Sequence, residues 1–191
     1  MTHLEETLKP DVRRRAIVDA AIALADSEGL VAVTMRAVAG RLGVGTMTLY
    51  SYVEAKDELL DLMLEELSGE MLLDEPVPSD WREALTAIAQ RTRAVLEAHP
   101  WMFKAATREP GLGVNFLRHV EQSRAAVASL ALDNEATAAI LAAVDDYTLG
   151  HALRARVRKR LARPQPDAGF ERGLEWLLDG IEAWLQERPR G

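Results

Sequence analysis

Apolar residues recur at three- and four-residue intervals along almost the whole chain, and no segment alternates long enough to make a strand. That spacing dictates helices, each with one stripe to bury, and so an all-α fold. The first helix is expected from Asp11 to Glu28, with Ile17, Ala20, Ala21, Leu24 and Ala25 on one face and Gly29 as its stop. Thr34 stands where an N-cap hydroxyl belongs, ahead of Met35, Val38, Ala39 and Leu42. Gly43 and Val44 end that short helix. A second short one follows from Thr46 to Val53, and a longer one over residues 55–72, with Leu59, Leu60, Met63, Leu64 and Leu67 inward.

Prolines divide the chain. The stretch from Asp74 to Asp80 has Pro76 and Pro78, which no helix interior tolerates, and it reads as a joint between two regions. Beyond it, a helix capped by Ser79 or Asp80 runs to His99, and Pro100 opens a short one with Trp101, Met102 and Phe103. After the breaker at Pro110, a helix runs from Val114 to Leu130. A long one capped by Asp133 or Asn134 runs to Leu161, and an amphipathic one from Phe170 to Leu185. About nine helices result.

The 191 residues are enough for a sizeable core. The formal net charge of −7 argues against a protein that coats nucleic acid or anionic membrane through bulk charge. The charge is not evenly spread, however. Residues 57–80 hold nine acids and no base, whereas Thr34 to Val53 carries Arg36 and Arg41 and no acid. With no cysteine, disulfides, thiolate metal sites and cysteine nucleophiles are excluded. No stretch approaches the roughly 20 apolar residues of a membrane span, and the N-terminus lacks a signal-peptide core, so a cytoplasmic protein is expected.

The most specific feature lies between Thr34 and Leu60. Two short helices joined by a tight glycine turn, the second rich in small polar and aromatic residues, form a helix-turn-helix. The second helix of such a unit enters the DNA major groove, so Thr46, Met47 and Thr48 at its start meet base edges or phosphates first. Tyr50 and Tyr52 add phenolic donors for phosphate oxygens, and Lys56 heads the next helix as a flexible cation.

These residues make the chain resemble the TetR family of transcriptional regulators. The likeness runs over residues 12–65: the leading amphipathic helix, then Thr34, Arg36, Ala39, Arg41, Gly43 and Val44, then Thr48, Leu49, Tyr50, Tyr52 and Val53, then Lys56, Glu58 and Leu60. It implies base reading by Arg36, Thr46 and Met47, and phosphate contacts by Thr34, Thr48, Tyr50, Tyr52 and Lys56. Gly45 and Ser51 depart from the usual family pattern and leave the operator sequence open.

Each of these residues also has a plainer reading. Leu42, Val44 and Leu49 are expected in the core of the motif; Tyr50 is either a phosphate donor or a core aromatic, and Tyr52 equally braces its helix. Arg13, Arg14 and Arg15 form either a basic arm that neutralises phosphate or an ordinary solubilising run. The acids from Asp57 to Asp80 spread around a helix and read as a solvated face rather than a cation site. His3, His99, His119 and His151 are too scattered for a metal signature, and no hydrolase, metalloprotease or nucleotide-binding motif occurs. Neither catalysis nor a metal nor a cofactor is expected.

A head over residues 1–56 and a second domain over 57–191 are therefore expected, with helix 55–72 as their link. The resemblance implies that the second domain binds an effector and dimerises through its last two long helices. Small residues such as Ala138 and Ala142 in one, and the broad face of Leu174, Leu177, Leu178, Ile181 and Leu185 in the other, suit such packing. A C2 homodimer fits a pseudo-palindromic operator. Trp101, Phe103, Phe116 and Tyr147 supply bulk for a pocket, and Asn115, His119 and His151 supply placed polar groups, which points to a largely apolar small molecule. The expected function is a ligand-responsive repressor. Activation, or a binding protein or enzyme that keeps the head only as a structural module, is the alternative.

Overall fold

The computed structural model describes residues 10–105, 113–158 and 169–188. Among them the regular structure is entirely helical: α1 (Pro10–Glu28), α2 (Met35–Leu42), α3 (Thr46–Tyr50), α4 (Lys56–Met71), α5 (Trp81–Ala98), α6 (Met102–Ala105), α7 (Val114–Ala126), α8 (Asn134–Arg158) and α9 (Phe170–Glu187). Two single 3-10 turns, Leu30–Ala32 and Ala128–Leu130, complete the set. The expected end of the long helix at Leu161 lies outside the described residues. The helix expected to reach Leu130 ends instead at Ala126, and its last turn tightens to 3-10 geometry.

The chain forms two compact units. The first contains residues up to Gly69 together with His99–Asn115, and the second contains Glu70–Ala98 and Phe116 onward. In the first, α1 buries Ile17, Val18, Ala21, Leu24 and Ala25, and α4 buries Leu59, Leu60, Met63 and Leu67. These follow the expected stripes, except that Ala20 and Leu64 are half-buried and Val18 joins the core. Asp26 accepts the Trp101 indole N–H at 2.7 Å and lies 2.8 Å from His99 Nδ1, which fixes the α6 region to the end of α1.

The second unit has its own core around Phe170, Leu174 and Leu178 of α9, Leu85, Ile88 and Ala89 of α5, and Ile140 and Val144 of α8. Asp80 caps α5 by accepting the backbone N–H groups of Arg82 and Glu83, and Asp133 caps α8 through Ala136. The largest apolar side chains of α7 do not make its buried face. Phe116, Leu117 and Val120 face outward, and the buried face is Ser123 and Ala126. Periodicity reveals a stripe but does not say which side of the helix a single chain covers.

Thr34 caps α2 with its hydroxyl oxygen, which accepts the Ala37 N–H at 3.1 Å. Thr34→Ala is expected to cost about 1 kcal/mol in urea unfolding, whereas Thr34→Ser keeps most of the cap.

Candidate functional site

The site is built on the turn between α2 and α3. Gly43 adopts φ 70°, a left-handed conformation that a residue with a Cβ enters only under strain. There the Gly43 N–H reaches Gly40 O and the Val44 N–H reaches Ala39 O, closing α2 with the paired bonds of a Schellman turn. The chain reverses over Val44 and Gly45, and α3 starts at Thr46.

Helix α3 has only five residues and a single buried anchor, Leu49, at 1% exposure. Val53, also buried, holds the turn that follows. Leu42 and Val44 are half-buried rather than fully enclosed. The remaining side chains are thereby turned toward solvent: Met47 is 81% exposed and Tyr50 44%, and Thr46 and Thr48 are half-exposed. Tyr50 therefore lies on the surface and not in the core. Thr34, Arg36 and Lys56 are exposed as well, and Tyr52 is half-buried. An exposed methionine flanked along α3 by threonines and a tyrosine is able to give apolar contact to a thymine methyl beside hydroxyl hydrogen-bond donors.

Lys56 is the first residue of α4, where a cation opposes the helix dipole, and Asp57 and Glu58 follow it in the first turn. Glu58 closes the connection by accepting the Glu54 N–H at 2.6 Å and the Arg14 guanidinium at 2.5 Å. Arg15 pairs with Glu66 at 2.9 Å. The arginine triplet is thus part of α1 and is engaged with the first unit, and α4 acids that read as a solvated face are two of its partners. No group of three or more acids or histidines that would hold a metal ion occurs among the described residues.

The residues expected to line a pocket have varied surroundings. In the first unit, Trp101 is buried with its N–H on Asp26, and Phe103 is half-buried. Asn115 is held to α4, its backbone N–H donating to Glu65 Oε1 at 2.7 Å and its side-chain amide to Glu65 O at 3.2 Å. In the second unit, the structure brings Tyr147 and His151 together against Phe170, with ring centroids 5.4 and 5.1 Å from it. The Tyr147 hydroxyl donates toward the Gly169 and Phe170 carbonyls, and a Cβ at Gly173 would run into that hydroxyl. Phe116 is 42% exposed. Burial pushes the His119 imidazole below its ordinary pKa of 6.5, so it is neutral at neutral pH.

Sequence comparison settles the family. Residues 17–63, which run from within α1 to the middle of α4, match the family described as bacterial regulatory proteins, tetR family, and residues 75–167 match the tetracyclin repressor-like C-terminal domain.

The chain belongs to the TetR family.

Similar TetR-family proteins include the HTH-type transcriptional repressor DrrR1 of Streptomyces coeruleorubidus, 36% identical over 92% of this chain and 66% of that protein. An HTH-type transcriptional regulator of Saccharopolyspora erythraea is 34% identical over 92% of this chain and 72% of its own length. The chain thus spans about two thirds of the length of these curated relatives. Among solved structures, the Streptomyces coelicolor TetR-family protein ActR in complex with actinorhodin matches with a TM-score of 0.76 and 27% identity, over 95% of this chain and 99% of that one. The named relatives are transcriptional regulators. Among the described residues, no helix is long and apolar enough to cross a membrane.

This TetR-family chain also carries an uncovered apolar groove on α8 and α9. Ala136, Ala139, Ile140 and Ala143 form one wall, and Trp176, Leu177, Ile181 and Trp184 the other, with Gly180 at its base. Trp176 is 68% exposed, far more than an indole in a single-chain core. Sequence spacing singled out the apolar face of α9 but not the outward direction of its tryptophans.

Proposed function

We propose that the chain is a ligand-responsive repressor that leaves its operator when a small, largely apolar molecule binds. The observation that carries this reading is the outward display of Met47, with Thr46, Thr48 and Tyr50, by a helix anchored through one leucine. Arg36, Thr46 and Met47 read base edges. Thr34, Thr48, Tyr50, Tyr52 and Lys56 hold phosphates, and a phosphate beside Lys56 offsets the unfavourable placement of that cation at a helix N-terminus. Residues 1–56 are the reading head and 57–191 the effector-binding and dimerising region, with α4 as the covalent route between them. In that region, Phe116 and His119 suit an apolar effector as an exposed ring and a neutral imidazole one turn apart.

The protein acts in the cytoplasm as a homodimer, pairing through the α8–α9 groove, on a pseudo-palindromic operator whose half-sites lie roughly 34 Å apart. Effector binding shifts the pair toward a spacing that cannot dock. A hundredfold loss of operator affinity requires about 2.7 kcal/mol of coupling. The likeness to the repressor DrrR1 supports repression, and the ligand in the ActR complex supports effector control.

Selection of bound duplexes from random DNA tests the reading. Lys56→Ala is expected to weaken every selected sequence alike and to lower the salt slope by about 1.8, one phosphate contact from each head of the dimer, whereas Met47→Ala is expected to change the sequence preference. A wild-type protein that shows no salt-sensitive duplex binding overturns it.

A further inference from the structure

Arg13, Arg14 and Arg15 are adjacent in sequence but differently engaged. Arg14 and Arg15 pair with Glu58 and Glu66 of α4. Arg13 donates from Nη1 to the phenol oxygen of Tyr52, 2.7 Å away and 39 residues along the chain. A guanidinium has donors and no acceptor, so the Tyr52 oxygen must be the acceptor in this bond. The phenol keeps its own hydrogen, and among the described residues it donates that hydrogen to none.

A charge-assisted bond into a hydroxyl oxygen withdraws electron density from the O–H and strengthens it as a donor. The bond also fixes where the hydroxyl stands. The segment carrying Tyr52 is held on both sides, by its own N–H on Leu49 O and by the Glu54 N–H on Glu58, the same carboxylate that receives Arg14. The exposed donors nearby in sequence, Tyr50 and Lys56, leave an anionic oxygen as the chemistry such a hydroxyl suits.

We propose that Arg13 is a positioning residue for DNA-backbone binding: it holds and polarises the Tyr52 hydroxyl, which donates to a phosphate oxygen, while Arg13 itself touches no DNA. This rests on the regulator reading above.

A double-mutant cycle on a duplex selected by the wild-type protein from random DNA tests it. R13M and Y52F are each expected to weaken binding about tenfold, and the double variant also about tenfold, because the two side chains act as one unit. R13K, which retains a single cationic donor, should weaken binding by about threefold, an effect that vanishes once Y52F is present. It decides the matter if R13M folds poorly. The salt slope of R13M should equal that of the wild type. Losses that multiply toward a hundredfold, or a slope lowered by about 1.8, one contact from each head of the dimer, overturn this proposal alone. No duplex binding by the wild-type protein overturns it together with the regulator reading.

Discussion

Phe170→Ala is expected to destabilise the second unit by about 3–5 kcal/mol, enough to leave it largely unfolded at moderate urea. Phe170 is fully buried at the first position of α9, stacked on Tyr147, edge-on to His151 and capped by the Arg93 guanidinium 4.6 Å above its ring. Truncation leaves a cavity among Tyr147, His151, the Arg93 guanidinium and the aliphatic core of the unit, which close-packed surroundings fill only in part. It also removes the platform that sets the Tyr147 hydroxyl on the first carbonyls of α9. Phe170→Leu keeps most of the volume and loses the ring contacts, so a cost of about 1–2 kcal/mol is expected. The check is the shift of the urea midpoint at unchanged slope, followed by far-ultraviolet circular dichroism. A loss below about 1 kcal/mol for the alanine variant contradicts this placement of the ring.

The second large effect concerns association. Trp176→Glu combined with Trp184→Glu is expected to leave the isolated chain folded, because both side chains are substantially exposed in it. Pairing through the α8–α9 groove would bury four carboxylates facing one another across a two-fold axis, each costing several kcal/mol without a partner. A loss of at least about 3 kcal/mol, more than a hundredfold in dimer affinity, is expected in sedimentation equilibrium. Operator affinity should fall with it, since one head alone spans one half-site. A variant that remains dimeric at micromolar concentration places the interface on another surface.

The first unit was largely legible from local pattern, and the reason is physical. The threonine cap, the glycine in a left-handed turn and the apolar spacing of α2 and α4 are set by residues within one or two helical turns of each other. The reach of Arg13 to Tyr52, of Asp26 to Trp101 and of Glu65 to Asn115 spans 39 to 75 residues. No spacing rule reports which side chains meet at that separation. The pocket residues illustrate the same limit. Asn115 and His119 lie one helical turn apart, as do Tyr147 and His151, yet Asn115 is tied to α4 and Tyr147 reaches the start of α9. The strongest apolar positions of α7, Phe116, Leu117 and Val120, are exposed, whereas its covered face is made of Ser123 and Ala126.

The economy of α3 has an evolutionary side. Of its five residues only Leu49 is buried, and its ends are set by residues outside it, Gly45 before and Ser51 after. Substitutions at Thr46, Met47, Thr48 and Tyr50 therefore meet little resistance from the rest of the molecule. With the operator read by these side chains as proposed, a lineage descended from this chain can acquire a new binding sequence by point mutation there while inheriting its scaffold unaltered.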